Sequence, residues 1–143
     1  MAYEFKVTRR VEFSETDMAG IVHFANFFRY MEFAEHAFFR SLGRSIVMGD
    51  VGFPRVHAHC DYHKPLRFED MIEIHLLVAE KRSKVLTYIF KFSKQTAEGP
   101  IEVARGKLTV VCVAHKADGS MASTHIPADL AAQIETAPAE LLK

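Results

Sequence analysis

Residues 11–42, VEFSETDMAGIVHFANFFRYMEFAEHAFFRSL, join an alternating strand to an unusually aromatic helix, and this junction decides the fold. The polar side chains of the helix recur at three- and four-residue steps in one narrow stripe: Arg29, Glu32, His36 and Arg40. A helix with a single narrow polar stripe must be covered on most of its surface. The pattern therefore predicts a helix over residues 24–42 that lies against a curved sheet and ends at Gly43.

Asp17 and Phe24 flank the predicted start of this helix. A helix N-terminus presents backbone N–H groups without intrahelical partners and the positive end of the helix dipole. Asp17 could therefore act as an acid or base on a carbonyl compound whose oxygen is polarised by the N–H groups near Phe24. An aspartate just before a helix is also a common turn or capping residue, and these residues alone leave both interpretations open.

The rest of the chain has the period of β-structure. Apolar and polar residues alternate over residues 3–13, 56–63, 72–78, 86–93 and 101–113. The connections at residues 80–84 and 97–100 are short and polar, which favours antiparallel hairpins. The sequence therefore predicts an α+β fold in which an antiparallel five-stranded sheet wraps around one long aromatic-rich helix, with a short C-terminal helix that opens near residues 126–129.

Composition is that of one globular domain over residues 1–143, with 49% hydrophobic and 25% charged residues. Lysine plus arginine and aspartate plus glutamate each number 18, so no excess of positive charge favours nucleic acid as a partner. No apolar run approaches a membrane span, and the first residues lack the pattern of a signal peptide, so we expect a cytoplasmic protein. Cys60 and Cys112 are then expected to be reduced thiols.

The pattern V-x-F-x-x-T-D-x-x-G-x-V-x-x-x-N-F-x-x-Y-x-E over residues 11–32 resembles the opening signature of the 4-hydroxybenzoyl-CoA thioesterase family. This family comprises hotdog-fold acyl-CoA thioesterases and includes the Tol-Pal-associated type. Residues 62–70 and 110–127 add weaker likeness. The resemblance implies hydrolysis of an acyl-CoA, with coenzyme A as part of the substrate and no further cofactor. Asp17 falls at the family's catalytic aspartate, as general base or as nucleophile, and the Phe24 N–H falls at its oxyanion site.

Further residues are candidates for binding the substrate. Phe24, Phe27 and the strand that carries His59 predict an apolar slot for an aromatic or short-to-medium acyl group. His23 stands where relatives often have an aromatic residue and could bind a polar group on the acyl chain, although a half-exposed loop histidine is the commoner case. The family tends to bind the nucleotide with basic and serine residues near one hairpin, which here supplies Lys81, Arg82, Ser83 and Lys84. Lys64 and Arg67 are weaker candidates for the same phosphates.

Two other functions remain open at this point. A hotdog dehydratase or hydratase would pair a histidine such as His23 or His59 with Asp17 or Glu32 across a subunit interface. A non-catalytic acyl-CoA-binding module would need the slot but no catalytic carboxylate.

The predicted sheet argues against a metal site and in favour of an oligomer. His57, His59 and His63 share strand parity, but residues two apart on a strand are about 6.6 Å apart, so we expect no metal. The sheet has open edges, which are normally covered, and this favours a homodimer or homotetramer.

Overall fold

The computed structural model describes residues 1–47 and 49–143. Its central sheet contains five strands, β1 (Glu4–Arg10), β3 (Arg55–Tyr62), β4 (Met71–Lys81), β5 (Val85–Thr96) and β6 (Gly99–Val111). They are antiparallel throughout, in the order β1-β4-β5-β6-β3. A second sheet has the order β2-β7-β8 and consists of β2 (Val51–Gly52), β7 (Val113–His115) and β8 (Met121–Ser123). The predicted five-stranded antiparallel sheet is confirmed, whereas the small sheet was not predicted.

One long helix, α1 (Asn26–Ser41), lies against the concave face of the central sheet. The predicted stripe is its exposed side, since Arg29, Glu32 and Arg40 are exposed and His36 is half-buried. The side chains that face the sheet are buried: Phe27, Tyr30, Met31, Ala34, Phe38 and Phe39. The helix is followed by Gly43, whose φ of +77° is the left-handed conformation that ends helices. The aromatic composition of α1 is thus mainly that of a core.

Strand β6 and helix α1 approach each other closely at Gly106. A Cβ atom there would lie 2.2 Å from the terminal carbon of Met31, so the glycine leaves the space that the methionine fills. A second short helix, α2 (Ala128–Ala131), starts after Pro127, as predicted. Two 3-10 helices, Phe13–Glu15 and Ala139–Leu142, complete the described elements.

The first and third strands of the chain differ from their predicted form. The first predicted strand extended to residue 13, but β1 ends at Arg10 because Phe13–Glu15 turns into a 3-10 helix held by a capping box. Strand β3 is an edge strand, and its alternating pattern does not bury one face: Val56 remains 61% exposed and Tyr62 46%. A register shift between Arg55 and His57 contributes to this irregularity.

The central sheet has two ends that matter for function. Arg10 of β1 pairs with Met71 of β4, and Ile72 pairs with Lys94 of β5, so these residues mark the first end. Lys81 pairs with Leu86 at the second end. Over residues 1–47 and 49–143, no helix has both the length and the apolar character needed to span a membrane.

Candidate active site

Asp17 lies in a tight loop between β1 and α1, at the first end of the sheet. Thr16 and Val22 form an antiparallel bridge that closes the loop. Within it, the Asp17 N–H donates to the Ile21 carbonyl at 2.8 Å, and the Gly20 N–H donates to the Asp17 carbonyl at 3.0 Å. Gly20 has a φ of +80°, a conformation that glycine adopts without strain. The Asp-x-x-Gly spacing therefore builds a turn with the carboxylate at its start.

The carboxylate of Asp17 is oriented by backbone amides. Its Oδ1 accepts hydrogen bonds from the N–H groups of Ala19 at 2.8 Å and Ile21 at 3.4 Å. Within the described residues, Oδ2 has no hydrogen-bond partner. Asp17 is half-buried and borders a cavity of about 490 Å³. The arrangement leaves one carboxylate oxygen available for chemistry at this cavity.

The turn before α1 borders the same cavity. The Asn26 N–H donates to the His23 carbonyl at 2.9 Å, and the Phe24 carbonyl accepts a hydrogen bond from the Tyr62 hydroxyl at 3.0 Å. The Phe24 N–H has no acceptor among the residues that the structure describes. A free backbone N–H at the start of a sixteen-residue helix suits a carbonyl oxygen that gains negative charge.

Glu15 joins the Asp17 loop to the helix start. Its carbonyl accepts hydrogen bonds from the His23 N–H at 2.9 Å and from the Asn26 side-chain amide at 2.8 Å. Its carboxylate is held by the Arg9 guanidinium at 2.6 Å and by the Tyr30 hydroxyl at 3.0 Å. Burial, reinforced by the Glu15 charge, raises the pKa of Tyr30, so this hydroxyl stays a donor. Glu15 was not among the site residues predicted from the sequence, so this role was missed.

The cavity walls are mostly apolar. Phe27 is buried, borders the cavity and contacts the Tyr62 ring edge-on at 5.2 Å between centroids. Tyr62 and the segment of residues 63–66 that follows it form the opposite wall. Partial burial raises the pKa of Tyr62 to about 12, which keeps its hydroxyl protonated as the donor to Phe24. This aromatic-and-proline segment was visible in the sequence, but within it only Lys64 was given a site role, as a weaker candidate for the coenzyme A phosphates.

His23 and His59 do not border this cavity. The Nδ1 of His23 accepts a hydrogen bond from the Ala25 N–H at 3.2 Å, and its ring stacks on Phe24 at 4.6 Å. His59 is exposed on β3, with Nε2 3.1 Å from a carboxylate oxygen of Asp61. The structure therefore places His23 in the loop framework and His59 on an open edge.

The histidines of β3 do not gather around one point. The rings of His57 and His59 are parallel, with centroids 6.5 Å apart. Across the part of the chain that the structure describes, no three His, Cys, Asp or Glu side chains are grouped so that they could hold a metal ion.

The basic hairpin lies at the second end of the sheet. Strand β4 is eleven residues long, which separates this hairpin from the Asp17 end by about 33 Å. The Lys81 ammonium donates to the carbonyls of Ala131 and Ile134, each at 2.8 Å, and so ties the sheet to the C-terminal segment. Arg82 forms an ion pair with Glu80, and Ser83 is exposed beside it. Within one protomer the hairpin cannot reach the Asp17 cavity.

A second polar cluster is buried near the same far end. The carboxylate of Glu35 is fully buried and contacts the Arg55 guanidinium at 2.6 Å, while Arg55 also approaches Glu32 at 3.2 Å. One Glu35 oxygen and the Tyr88 hydroxyl have no hydrogen-bond partner among the described residues. Burial raises the pKa of Glu35 although Arg55 opposes the shift. This cluster is separate from the Asp17 cavity.

Comparisons with known proteins identify the family. The family model described as the thioesterase-like superfamily matches residues 11–134. A putative esterase of Aquifex aeolicus (strain VF5) is 41% identical over 104 residues, covering 71% of this chain and 78% of the relative. The 4-hydroxybenzoyl-CoA thioesterase of Pseudomonas sp. (strain CBS-3) is 26% identical over 135 residues, covering 90% and 96%.

Solved structures agree with this relationship. A gentisyl-coenzyme A thioesterase superposes with a TM-score of 0.77 at 30% identity, covering 88% of this chain and 98% of its own. A 4-hydroxybenzoyl-CoA thioesterase variant complexed with 4-hydroxybenzoyl-CoA has the same fold, with a TM-score of 0.81 at 23% identity and coverage of 90% and 96%. The protein is thus a hotdog-fold enzyme of the thioester hydrolase class. It belongs to the thioesterase-like superfamily, and the predicted 4-hydroxybenzoyl-CoA thioesterase resemblance is confirmed.

Proposed function

We propose that this protein hydrolyses the thioester of an aromatic or short-to-medium acyl-CoA at Asp17. The observation that carries the proposal is the meeting of two unpaired groups at one cavity: an Asp17 carboxylate oxygen and the Phe24 N–H at the helix start. In acyl transfer, such a pair would act on the carbonyl carbon and the carbonyl oxygen respectively.

Two routes use the same geometry. As general base, Asp17 takes a proton from water, the resulting hydroxide adds to the thioester carbon, and the Phe24 N–H stabilises the oxyanion. Collapse breaks the C–S bond, and the thiolate takes the proton back from Asp17. As nucleophile, Asp17 adds to the same carbon and expels the thiolate, which leaves a mixed anhydride that water then hydrolyses. Neither route needs a group beyond these residues and water.

The acyl group would occupy the apolar part of the cavity. Val22, Phe27 and Leu66 are buried side chains that border it, and Tyr62 adds a polar atom whose hydrogen is committed to the Phe24 carbonyl. These walls support an aromatic or short-to-medium acyl chain. His23 does not border this cavity, so its Nε2, left free because Nδ1 accepts from Ala25, could meet a polar acyl substituent only where the acyl group extends beyond it.

Binding of the coenzyme A nucleotide by the basic hairpin would depend on the quaternary structure. Because the basic hairpin lies about 33 Å from the Asp17 end of its own sheet, it could serve the nucleotide only from a second protomer. The exposed edge of β3, where Val56 and Tyr62 remain open, supports pairing of two sheets into a homodimer or a homotetramer. Arg82, Ser83 and Lys84 are then the hairpin residues available to phosphates. A cytoplasmic location is part of the same proposal, in keeping with the free thiols of Cys60 and Cys112.

Asp17→Asn is the decisive substitution. It keeps the acceptor at the oxygen that meets Ala19 and Ile21 but removes the base or nucleophile, so thiol release from acyl-CoA should fall about 100- to 10,000-fold. Circular dichroism and thermal melting control for folding. A folded Asp17→Asn protein with near-wild-type turnover would refute the assignment.

A single-turnover reaction in ¹⁸O-labelled water can identify the nucleophilic route. Unlabelled oxygen from Asp17 appears in the first acid product if water attacks the aspartyl carbon of the anhydride, whereas label in that product is expected from the general-base route and also from attack on the acyl carbon. Parallel measurement of enoyl-CoA hydration excludes or establishes the hydratase alternative, and tight binding of acyl-CoA without thiol release would identify a binding module.

A further inference from the structure

A smaller cavity of about 230 Å³ lies beside the Asp17 cavity. The two share Lys64 and Pro65 as bordering residues, so they are continuous along one segment of the chain. The floor of the smaller cavity is formed by Ile101 and Val103 of β6. It therefore extends the surface next to the proposed reaction centre towards the hairpin between β5 and β6.

The side chains around this cavity are all cationic or uncharged. Three charged residues border it: Lys64, Arg67 and Lys94. The cavity together with these three side chains is called the anion pocket below. Lys94 is 3.2 Å from Asp70, which lies outside the border, and the side chains of Lys64 and Arg67 form no ion pair within the described residues. Because Asp70 pairs with Lys94, Lys64 and Arg67 are the two cations at this cavity that remain available, and an anion placed between them would be attracted by both.

Carboxylates near the anion pocket neutralise only Lys94 among its three cations. Asp70 already accepts the Arg67 backbone N–H at 2.8 Å in addition to its contact with Lys94. Glu98 approaches only the Thr96 hydroxyl, at 3.5 Å, and that hydroxyl lies 2.6 Å from the Gly99 carbonyl. Lys64 and Arg67 are exposed and keep their donors available, and Arg67 can bind an anion with two parallel N–H groups.

The backbone ties the anion pocket to the Asp17 loop. Arg67 forms a bridge with Ile21, and the Leu66 carbonyl accepts the Val22 N–H at 2.8 Å. On the other side, the Lys64 N–H donates to the Val103 carbonyl at 3.1 Å. A ligand held by Lys64 and Arg67 is therefore held by the same short segment that forms one wall of the Asp17 cavity.

We propose that the anion pocket binds an anionic group of the same thioester that reacts at Asp17. This inference rests on the proposed thioesterase function. Phosphate and carboxylate oxygens share the chemistry that lysine and arginine recognise, so the group is either a phosphate of the coenzyme A moiety or a carboxylate on the acyl chain. The pocket supplies each protomer with cations of its own beside Asp17, which its basic hairpin at the far end of the sheet cannot do.

The test compares Lys64→Gln/Arg67→Gln with a matched control, Arg40→Gln/Lys116→Gln, which removes two exposed cations outside the border of either cavity. Two pairs of thioesters are used as probes. Benzoyl-CoA is compared with benzoyl-N-acetylcysteamine, which lacks the phosphates, and glutaryl-CoA is compared with pentanoyl-CoA, which lacks the acyl carboxylate. Turnover is measured by thiol release, and Kd by calorimetry in the Asp17→Asn background.

If the pocket holds a phosphate, the pocket variant should raise KM and Kd for every CoA thioester about tenfold or more and leave benzoyl-N-acetylcysteamine unchanged. If it holds an acyl carboxylate, the loss should be confined to glutaryl-CoA. Equal values in pocket variant and control for all four probes would overturn the inference. Absence of thiol release in the wild type would refute the thioesterase function instead, while the calorimetric comparison would still decide whether the pocket binds the anion.

Discussion

Replacing Arg55 by methionine should destabilise the protein by about 3 kcal/mol, because it leaves the fully buried carboxylate of Glu35 without its cation. Breaking a buried ion pair typically costs about 3–5 kcal/mol. Arg55 is 25% exposed, so water can reach the vacated site and the low end applies. Glu35 can also escape the penalty by taking up a proton: from its ordinary pKa of 4.5 to pH 7, this costs at most about 3.4 kcal/mol at roughly 1.36 kcal/mol per unit. Because the Glu35 pKa is already raised in the wild type, part of this cost is present before the substitution, so about 3 kcal/mol is near the upper limit of the expected loss.

The dependence on pH follows from the direction of the Glu35 shift. Its pKa in the folded protein lies above 4.5, so between these two values the folded state binds more protons than the unfolded state. The contribution of Glu35 to stability is therefore most favourable below pH 4.5 and declines as pH rises through the folded pKa. Without Arg55 that pKa rises further, so the defect of Arg55→Met should grow between pH 5 and pH 7.5.

Urea unfolding at pH 5 and pH 7.5 measures both effects, with Arg55→Met/Glu35→Gln as the matched control. The double variant has no buried charge and should recover part of the loss and lack the additional pH dependence. An Arg55→Met protein within about 0.5 kcal/mol of the wild type, the scatter of ordinary surface substitutions, would refute the reasoning. So would a double variant that is no more stable than Arg55→Met at pH 7.5.

Three further substitutions test the site. Glu15→Ala removes the carboxylate that joins Arg9 of β1 to Tyr30 of α1, while the bonds to the Glu15 carbonyl remain. It should lower kcat on the order of 10- to 100-fold with little change in KM, because the loop is then held less firmly; steady-state kinetics and an unchanged fold by circular dichroism check this. Tyr62→Phe removes one neutral hydrogen bond to Phe24 and should lower kcat by no more than about tenfold; a 1,000-fold loss would instead indicate direct chemistry by Tyr62. Arg82→Ala/Lys84→Ala should raise KM for acyl-CoA and spare short thioesters, whereas Lys81→Ala should lower the melting temperature, since Lys81 holds two carbonyls of the C-terminal segment.

The sequence predicted those features that depend on local periodicity. The stripe from Arg29 to Arg40 specified which side of α1 is exposed, and strand alternation with short polar turns specified the antiparallel sheet. The Asp-x-x-Gly turn and helix start could be located because both are contiguous in sequence. The clamp of Arg9, Glu15 and Tyr30 could not, because it is formed by side chains from three different elements whose packing no single period encodes.

The distance between the basic hairpin and Asp17 could not be predicted from the sequence. Cations and a hydroxyl at residues 81–84 were recognised by chemistry, but their distance from Asp17 depends on strand direction. Because β1 runs antiparallel to β4 and leads into the Asp17 loop at Arg10, the loop lies beside Met71, where β4 begins, and the hairpin lies where β4 ends. Lys64 and Arg67 belong to one short segment and Lys94 lies far from it in the sequence, yet the register places Lys94 opposite Ile72 at the Asp17 end. Cations that look scattered in the sequence therefore lie beside the reaction centre, while the compact basic run can reach a reaction centre only in another protomer.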